Sequence, residues 1–471
     1  MKVKLATLAL LLMLAIGVLT PATMAQRGQA PAAPGAAAAP AQNAGAPGQN
    51  PAAGRGAGMA AQPRITSPEI KDDKTVIFRL RAANATEVTL SGDWPQGQGI
   101  KMTKDDQGIW SATVGPLAPE LWAYTFSVNG VTALDPSNGN VRRDGARFQS
   151  IFIIDGPLSA NYQVRDIPHG NVNMVWYNSP TLKLNRRMYV YTPAGYETSK
   201  EKYPVLYLLH GSGGDEDAWF NMGRASQILD NLIYDKKAKP MLVVMTNGNA
   251  NQQQAPGWGP LPRVAGAAPG AGARGAVPGA APAAPGAAPA ARGAAPAAVP
   301  AVPAARGEAP AAPGAAPAAP GAAAGRGAGA GGVGGGLFPE SIVKDIIPYM
   351  ESNYRVIKAK DARAVAGLSM GGGHTLTVTN AHPETFSYIG VFSMGTRDDI
   401  TDKLQAIKKA GVKNYYVGCG KADSICVEGS KNLDALLIKV GIQHTTTFSE
   451  GGHSWNNWRI YLNELAPMLF K

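Results

Sequence analysis

Gly367-Leu368-Ser369-Met370-Gly371 fits Gly-x-Ser-x-Gly, and its setting gives the match its weight. An apolar run at 362–366 precedes it and a helical pattern opens at Gly371, so the serine is expected on a tight strand-to-helix turn. Small residues at 367 and 371 let such a turn close without a Cβ clash and would present Ser369 Oγ at the carboxyl end of a sheet. A serine hydroxyl acts as a nucleophile at neutral pH only with a base beside it. The chain has six histidines: His169, His210, His374, His382, His444 and His453. His210 comes too early for the order serine, acid, histidine. His374 lies on the serine's own helix and cannot easily face Oγ, His382 precedes Pro383 at a helix end, and His444 begins a strand. His453, in the loop Glu450-Gly451-Gly452-His453-Ser454-Trp455 after the last strand, is left as the base.

The orienting acid belongs on the loop after the preceding strand, 414–418, where Lys421-Ala422-Asp423 follows. Asp423 would accept a proton-bearing nitrogen of His453 and fix its tautomer. Glu428, at the start of the next helix, and Asp398 and Asp399, after the strand before, are the competitors. An attacked carbonyl also needs preorganised donors for its developing oxyanion. The N–H of Met370, next after the nucleophile, is the first candidate. The N–H of Ser212, in the turn His210-Gly211-Ser212-Gly213-Gly214, is the second. Trp219 and Trp455 flank these loops and could line a substrate pocket, with Trp458 either joining them or packing on its helix.

The elements that must position these groups read as repeated β–α units. An antiparallel pair is expected at 171–182 and 186–196, followed by strands at 204–209, 241–246, 362–366, 388–393, 414–418 and 444–449. Helices are expected near 224–236, 338–354, from 371, at 400–410, at 430–440 and from about 455. Continuous apolar strands alternating with helices predict an α/β fold, a doubly wound, mostly parallel sheet. Ahead of it, residues near 65–157 alternate apolar and polar positions between short turn signals, with Val128-Asn129-Gly130-Val131 a two-residue hairpin. That pattern predicts a small all-β, immunoglobulin-like sandwich. Its Trp94, Trp110 and Trp122 could stack on sugar rings, or Trp110 and Trp122, on alternating strands, fill its core.

The chain has 471 residues, and its 57 glycines and 37 prolines pile up in two Ala/Pro/Gly tracts, 26–63 and 264–336. Such tracts bury nothing and are expected to be flexible or partly polyproline-like. The second interrupts one β–α connection of the larger domain, which a long loop can do because closure entropy grows slowly with length. Residues 1–25 combine a basic start, an apolar run of sub-membrane length and Thr23-Met24-Ala25, the pattern of a signal peptide cleaved before Gln26. The reading is therefore a leader at 1–25, a linker at 26–63, a sandwich at 64–160 and an α/β domain at 165–471, in an exported or periplasmic protein. The formal charge of +11 lies mostly in the leader and the two tracts. No basic face is left for nucleic acid, and no further segment reaches membrane-spanning length. Cys419 and Cys426 flank Asp423 and could pair as a disulfide or remain one buried thiol at a strand end and one on a helix. At that spacing, without a histidine beside them, they are not a zinc site.

Leu209-His210-Gly211, Gly367–Gly372, Gly420-Lys421-Ala422-Asp423 and Gly451-Gly452-His453 together resemble the esterase-D-like group of α/β-hydrolases. That group includes the family 1 carbohydrate esterases (acetylxylan and feruloyl esterases), enterobactin esterases and mycolyltransferases. Ser91-Gly92-Asp93-Trp94, Gly108-Ile109-Trp110 and Asp135-Pro136-Ser137-Asn138 resemble the early-set modules related to family 48 carbohydrate-binding modules. The resemblance implies ester hydrolysis through an acyl-enzyme with no metal or organic cofactor; substrates diverge within the group, and acetyl or feruloyl groups of plant polysaccharide are the ones expected here. Hydrolysis of siderophore or other small-molecule esters is the alternative within enzymes, and a non-catalytic carbohydrate-binding surface protein the alternative outside them. Oligomeric state is left open.

Overall fold

The structure, a computed structural model, describes residues 64–256 and 336–471. The expected leader, the first tract and all but the last residue of the second lie outside the described residues. Strict alternation builds the first part. Val76–Arg81 buries Val76, Phe78 and Leu80 and turns its other side chains outward. It belongs to a four-stranded sheet ordered Glu69–Ile70, Val76–Arg81, Ile109–Val114, Thr103–Lys104. The facing sheet runs Ile100–Lys101, Val88–Gly92, Leu121–Val128, Arg147–Ile153, Val141–Asp144, with Val131–Ala133 added on Leu121–Val128. The predicted hairpin is present: Val128 pairs with Val131, and Asn129 and Gly130 take φ of 48° and 84°, as a type I′ turn needs. Between the sheets Phe78, Trp94, Trp110, Trp122, Tyr124, Phe126 and Phe152 form one aromatic core.

That core decides between the two readings of the sandwich tryptophans. Trp94, Trp110 and Trp122 are at most 7% exposed, and the indole N–H groups of Trp110 and Trp122 donate to the Ala82 and Ala118 carbonyls at 3.0 Å. The three rings fill the interior and offer no face to a sugar.

The second part is an eight-stranded sheet, here numbered β1 (Asn171–Ser179), β2 (Leu184–Thr192), β3 (Val205–Leu209), β4 (Leu242–Thr246), β5 (Arg363–Leu368), β6 (Tyr388–Phe392), β7 (Asn414–Gly420) and β8 (His444–Ser449). Its spatial order is β1-β2-β4-β3-β5-β6-β7-β8, and every pairing from β4 to β8 is parallel. β3, β4 and β6 are buried along their whole length because helices cover both faces. Leu206 and Leu208 face α1 (Ala225–Tyr234) and a helix near the C-terminus. Val205, Tyr207 and Leu209 face the helical stretch 337–353, which ends in α2 (Ile347–Asn353). The rest of that second face is covered by α4 (Thr401–Lys409) and α5 (Val427–Val440). α3 (Met370–Ala381) follows β5, and α6 (Trp455–Leu465) follows β8.

The stretch read as one helix at 338–354 contains a π-helical turn at Ile342–Ile346. Pro348, which follows it, has no N–H to continue the regular ladder. The two parts are not separate bodies: Leu121, Ala123 and Ile151 of the sandwich lie in the same apolar cluster as Leu206, Ile228 and Tyr461.

Phe392, at the end of β6, is fully buried and meets Trp219, Tyr416 and Tyr461 at ring centroid distances of 6.2, 5.7 and 5.7 Å. Phe392→Ala should destabilise the protein by about 3–5 kcal/mol in urea unfolding, and a loss below 1 kcal/mol would contradict this packing.

Candidate active site

The site is built at the carboxyl ends of β3, β5, β7 and β8. β5 ends at Leu368, α3 begins at Met370, and Ser369 alone makes the turn, with φ 51° and ψ −118°. A non-glycine residue is strained there and must be held by its surroundings. Ser369 N–H donates to the Phe392 carbonyl at 2.9 Å, and its own carbonyl accepts from Gly373 N–H at 3.0 Å. The flanking glycines are steric requirements. A Cβ on Gly367 would lie 2.3 Å from the Gly371 carbonyl oxygen, and one on Gly371 would lie 2.5 Å from that of His210.

His453 lies on the loop between β8 and α6. Its Nε2 is 2.9 Å from Ser369 Oγ and its Nδ1 is 2.8 Å from Asp423 Oδ2. Asp423 stands just beyond β7 and is 1% exposed. Burial works against its charge, but the hydrogen bond and positive potential of His453, with smaller help from Ser393 and the Cys426 N–H, hold its carboxyl below the ordinary value of 3.8. An ionised Asp423 can only accept, so Nδ1 carries the proton and Nε2 is free to take one from Ser369. The arrangement can therefore generate a serine nucleophile. Of the competing acids, Glu428 is an exposed partner of Lys431 in the first turn of α5, and Asp399 pairs with Thr401 and Lys439.

The turn at 210–214 meets the serine from β3. A Cβ on Gly211 would lie 3.2 Å from Ser369 Cβ. The His210 ring braces the turn: its Nε2 accepts from Gly248 N–H at 2.7 Å, so Nδ1–H donates to the Gly211 carbonyl at 2.7 Å. Burial drives the His210 pKa down to about 4, and it does the same to His374. Among the described residues, the N–H groups of Met370 and Ser212 have no backbone acceptor.

Trp219 corrects its expected place in the pocket wall. It is 1% exposed, donates from Nε1 to the Leu209 carbonyl at 2.9 Å and packs edge-on against Trp455 at 5.3 Å, leaving no ring face for a ligand. Trp455 stays half-buried at the site. Trp458, 7% exposed, packs at 5.1 Å on the His453 ring, and its Nε1 donates to Ser393 Oγ at 3.0 Å. Ser393 is a support the sequence reading missed. It holds φ 44° at the end of β6, donates its N–H to the Gly418 carbonyl and helps keep the Asp423 carboxyl below its ordinary value.

Cys419 and Cys426 are both buried free thiols, pushed up by burial to about 11 and about 12. Donor atoms of Cys426, Asp423 and His453 lie within 4.8 Å of one another. Ligation there would need a thiolate, which burial opposes, and would break the Asp423–His453 hydrogen bond.

Residues 179–272 and 316–469, more than half of the chain, match the family described as "Putative esterase". Residues 65–142 match carbohydrate-binding module 48, the isoamylase N-terminal domain. An endo-1,4-beta-xylanase/feruloyl esterase of Xylanibacter ruminicola is 28% identical over 418 residues, covering 87% of this chain and 47% of that protein. The chain thus spans about half the length of this curated relative. The crystal structure of the enterobactin esterase from Shigella flexneri in the presence of enterobactin matches 84% of this chain and 92% of its own, with a TM-score of 0.52 at 16% identity. That likeness is one of fold. A ferulic acid esterase from Anaeromyces mucronatus matches 66% of this chain and 95% of its own, with a TM-score of 0.44 at 18% identity.

Because the native Asp423 pKa is depressed, its contribution to stability is present above the unfolded value and lost as pH falls through the native one. Thermal melts of wild type and Asp423→Asn should converge as pH is lowered from 6 to 3. Asp423→Asn should also slow labelling of Ser369 by a fluorophosphonate roughly a thousandfold or more; undiminished labelling would remove Asp423 from the site.

Proposed function

The chain belongs to this esterase family, and from that premise we propose that it is a carboxylic ester hydrolase that cleaves carbohydrate esters, acetyl or feruloyl groups on plant polysaccharide, through an acyl-enzyme on Ser369. The observation that carries the mechanism is the unbroken hydrogen-bonded chain Ser369–His453–Asp423, at 2.9 and 2.8 Å. Ser369 Oγ attacks the ester carbonyl carbon while its proton passes to His453 Nε2. The oxyanion is taken by the N–H groups of Met370 and Ser212. As the tetrahedral intermediate collapses, the bond to the sugar oxygen breaks and His453 gives its proton to that oxygen, releasing the alcohol. Water then attacks the acyl carbon, its proton goes to His453, and the free acid leaves as Ser369 regains its proton. Asp423 remains ionised and stabilises the imidazolium at both stages.

The choice of substrate is supported by the similarity to a xylanase/feruloyl esterase over most of this chain. Trp455, half-buried beside His453, is the residue we assign to the substrate-binding wall. We take the sandwich as 64–160 and the esterase domain, with its inserted tract, as 165–471. We further propose export through residues 1–25. No helix among the described residues is long and apolar enough to cross a membrane. Mass spectrometry of the exported protein should find Gln26 at its N-terminus; a retained Met1 would refute processing.

Wild type incubated with arabinoxylan carrying both acetyl and feruloyl esters should release acetate or ferulate, and Ser369→Ala should release neither while keeping the wild-type melting curve. Release by the Ser369→Ala protein would overturn the mechanism. If wild type cleaves a catecholate trilactone and leaves arabinoxylan intact, the substrate class is wrong and the mechanism stands.

A further inference from the structure

Besides the shared apolar cluster, two ionic contacts join the sandwich to the esterase domain beside the segments that carry Ser212 and His453. On one side, Arg143 projects from the strand Val141–Asp144 into the segment just after the 210–214 turn. Its Nη1 and Nη2 donate to both oxygens of Asp215 at 2.8 and 2.7 Å, and its Nε donates to Asp217 Oδ2 at 3.1 Å. The Arg143, Asp215 and Asp217 side chains are 6%, 1% and 10% exposed. Arg143 also bonds the Gly145 carbonyl at its own hairpin tip, at 2.5 Å. That tip touches the turn itself, since a Cβ on Gly145 would lie 2.6 Å from the Gly213 carbonyl oxygen. On the other side, Glu120 accepts from Arg459 of α6 at 2.9 Å, four residues into the helix that opens two residues beyond His453. Arg459 also holds the Met222 carbonyl at 2.8 Å.

The turn needs outside support. Ser212 and Gly213 are exposed, and the backbone of the turn closes on itself only through Gly214 N–H to the Gly211 carbonyl at 3.2 Å. A contact serving stability alone would be apolar. Burying two carboxyls on one guanidinium is costly, and burial together with the adjacent Asp215 pushes the Asp217 carboxyl above its ordinary range. What a planar fork supplies instead is direction, through two parallel bonds to one carboxylate and a third to its neighbour. We infer that the β-sandwich is a brace of the active site, with Arg143 a positioning residue that holds the 211–214 turn, and hence the Ser212 N–H, at the distance the oxyanion requires. This rests on the reading of Ser369 as nucleophile and Ser212 N–H as oxyanion donor. It assigns the module a role in the reaction that is separate from any affinity for carbohydrate.

The test uses the mature full-length protein and p-nitrophenyl acetate, whose two small halves are handled at the serine itself. Arg143→Lys keeps the charge and loses the fork. The triple variant Arg143→Met, Asp215→Asn, Asp217→Asn leaves no unpaired buried charge, so that the fold survives. Both should lower kcat about 10–100-fold, with KM within twofold of wild type, and slow fluorophosphonate labelling of Ser369 in proportion. Arg143→Lys should be the milder. Arg147→Ala, on the same hairpin but with its side chain 83% exposed, should match wild type. Variants that melt earlier yet keep wild-type kcat and labelling rate at 25 °C would overturn the inference, leaving the contact structural only. If wild type itself neither turns over ester nor labels at Ser369, it is the esterase mechanism that fails, and the two failures are thereby distinguished.

Discussion

The turn at Ser369 closes only because backbone touches backbone on both sides of it. Gly371 at the start of α3 lies against the His210 carbonyl at the end of β3, and Gly367 at the end of β5 lies against Gly371. β3 and β5 are parallel neighbours with Leu209 opposite Gly367, so the register of one strand pair sets the distance between the nucleophile and the turn that faces it. Everything else at the site is arranged around that approach. Asp423 arrives from β7 and His453 from β8, both at the same edge of the sheet, and the strained backbone of Ser369 is held by a bond to β6. A side chain at 367 or 371 would push the strands apart before it altered any chemistry.

The distribution of charge follows the same logic. The central strands β3, β4 and β6 bury almost wholly apolar faces, and buried ionic groups gather on β2 and on the loops that must be held still. Glu216, 1% exposed, accepts from Arg187 Nε and Ala255 N–H at 2.8 Å and from Asn247 Nδ2 at 3.0 Å. Arg186, fully buried, donates to the Asn249 and Ala250 carbonyls at 3.1 and 3.0 Å and to that of Asn247. These contacts tie the segment after β4 to the segment after β3. Each buried charge carries a desolvation cost, which the carbonyls and the carboxylate around Arg186 and Arg187 offset while they specify one loop geometry.

The strands were legible where burial on both faces writes itself as an unbroken apolar run, as in Val205–Leu209, and where alternation is strict, as in Val76–Arg81. That Ser369, His453 and Asp423 would meet was legible from their order and from the ends of those strands. The hairpin Val141–Ile153 was not, because its arginines at 142, 143 and 147 read as solvent-facing when two of them are buried. Asp144-Gly145 was its one local signal, a turn pair that two flanking arginines disguised. The partners of Arg143 are more than seventy residues away, and no local pattern announces them. Trp219 was misplaced for a related reason. Its neighbourhood in the sequence pointed at the site, while its side chain turns inward to satisfy its indole N–H on β3.

The two cysteines beside the acid loop have a practical meaning for how the protein can be handled. With both thiols sealed in the interior and kept protonated far above neutral pH, neither offers the thiolate that oxidants and alkylating agents consume. The loop bearing Asp423 is held by hydrogen bonds from Cys426 N–H and His453, and the thiols on either side of it are free. Dithiothreitol or iodoacetamide in an assay should leave Asp423 and His453 where they are.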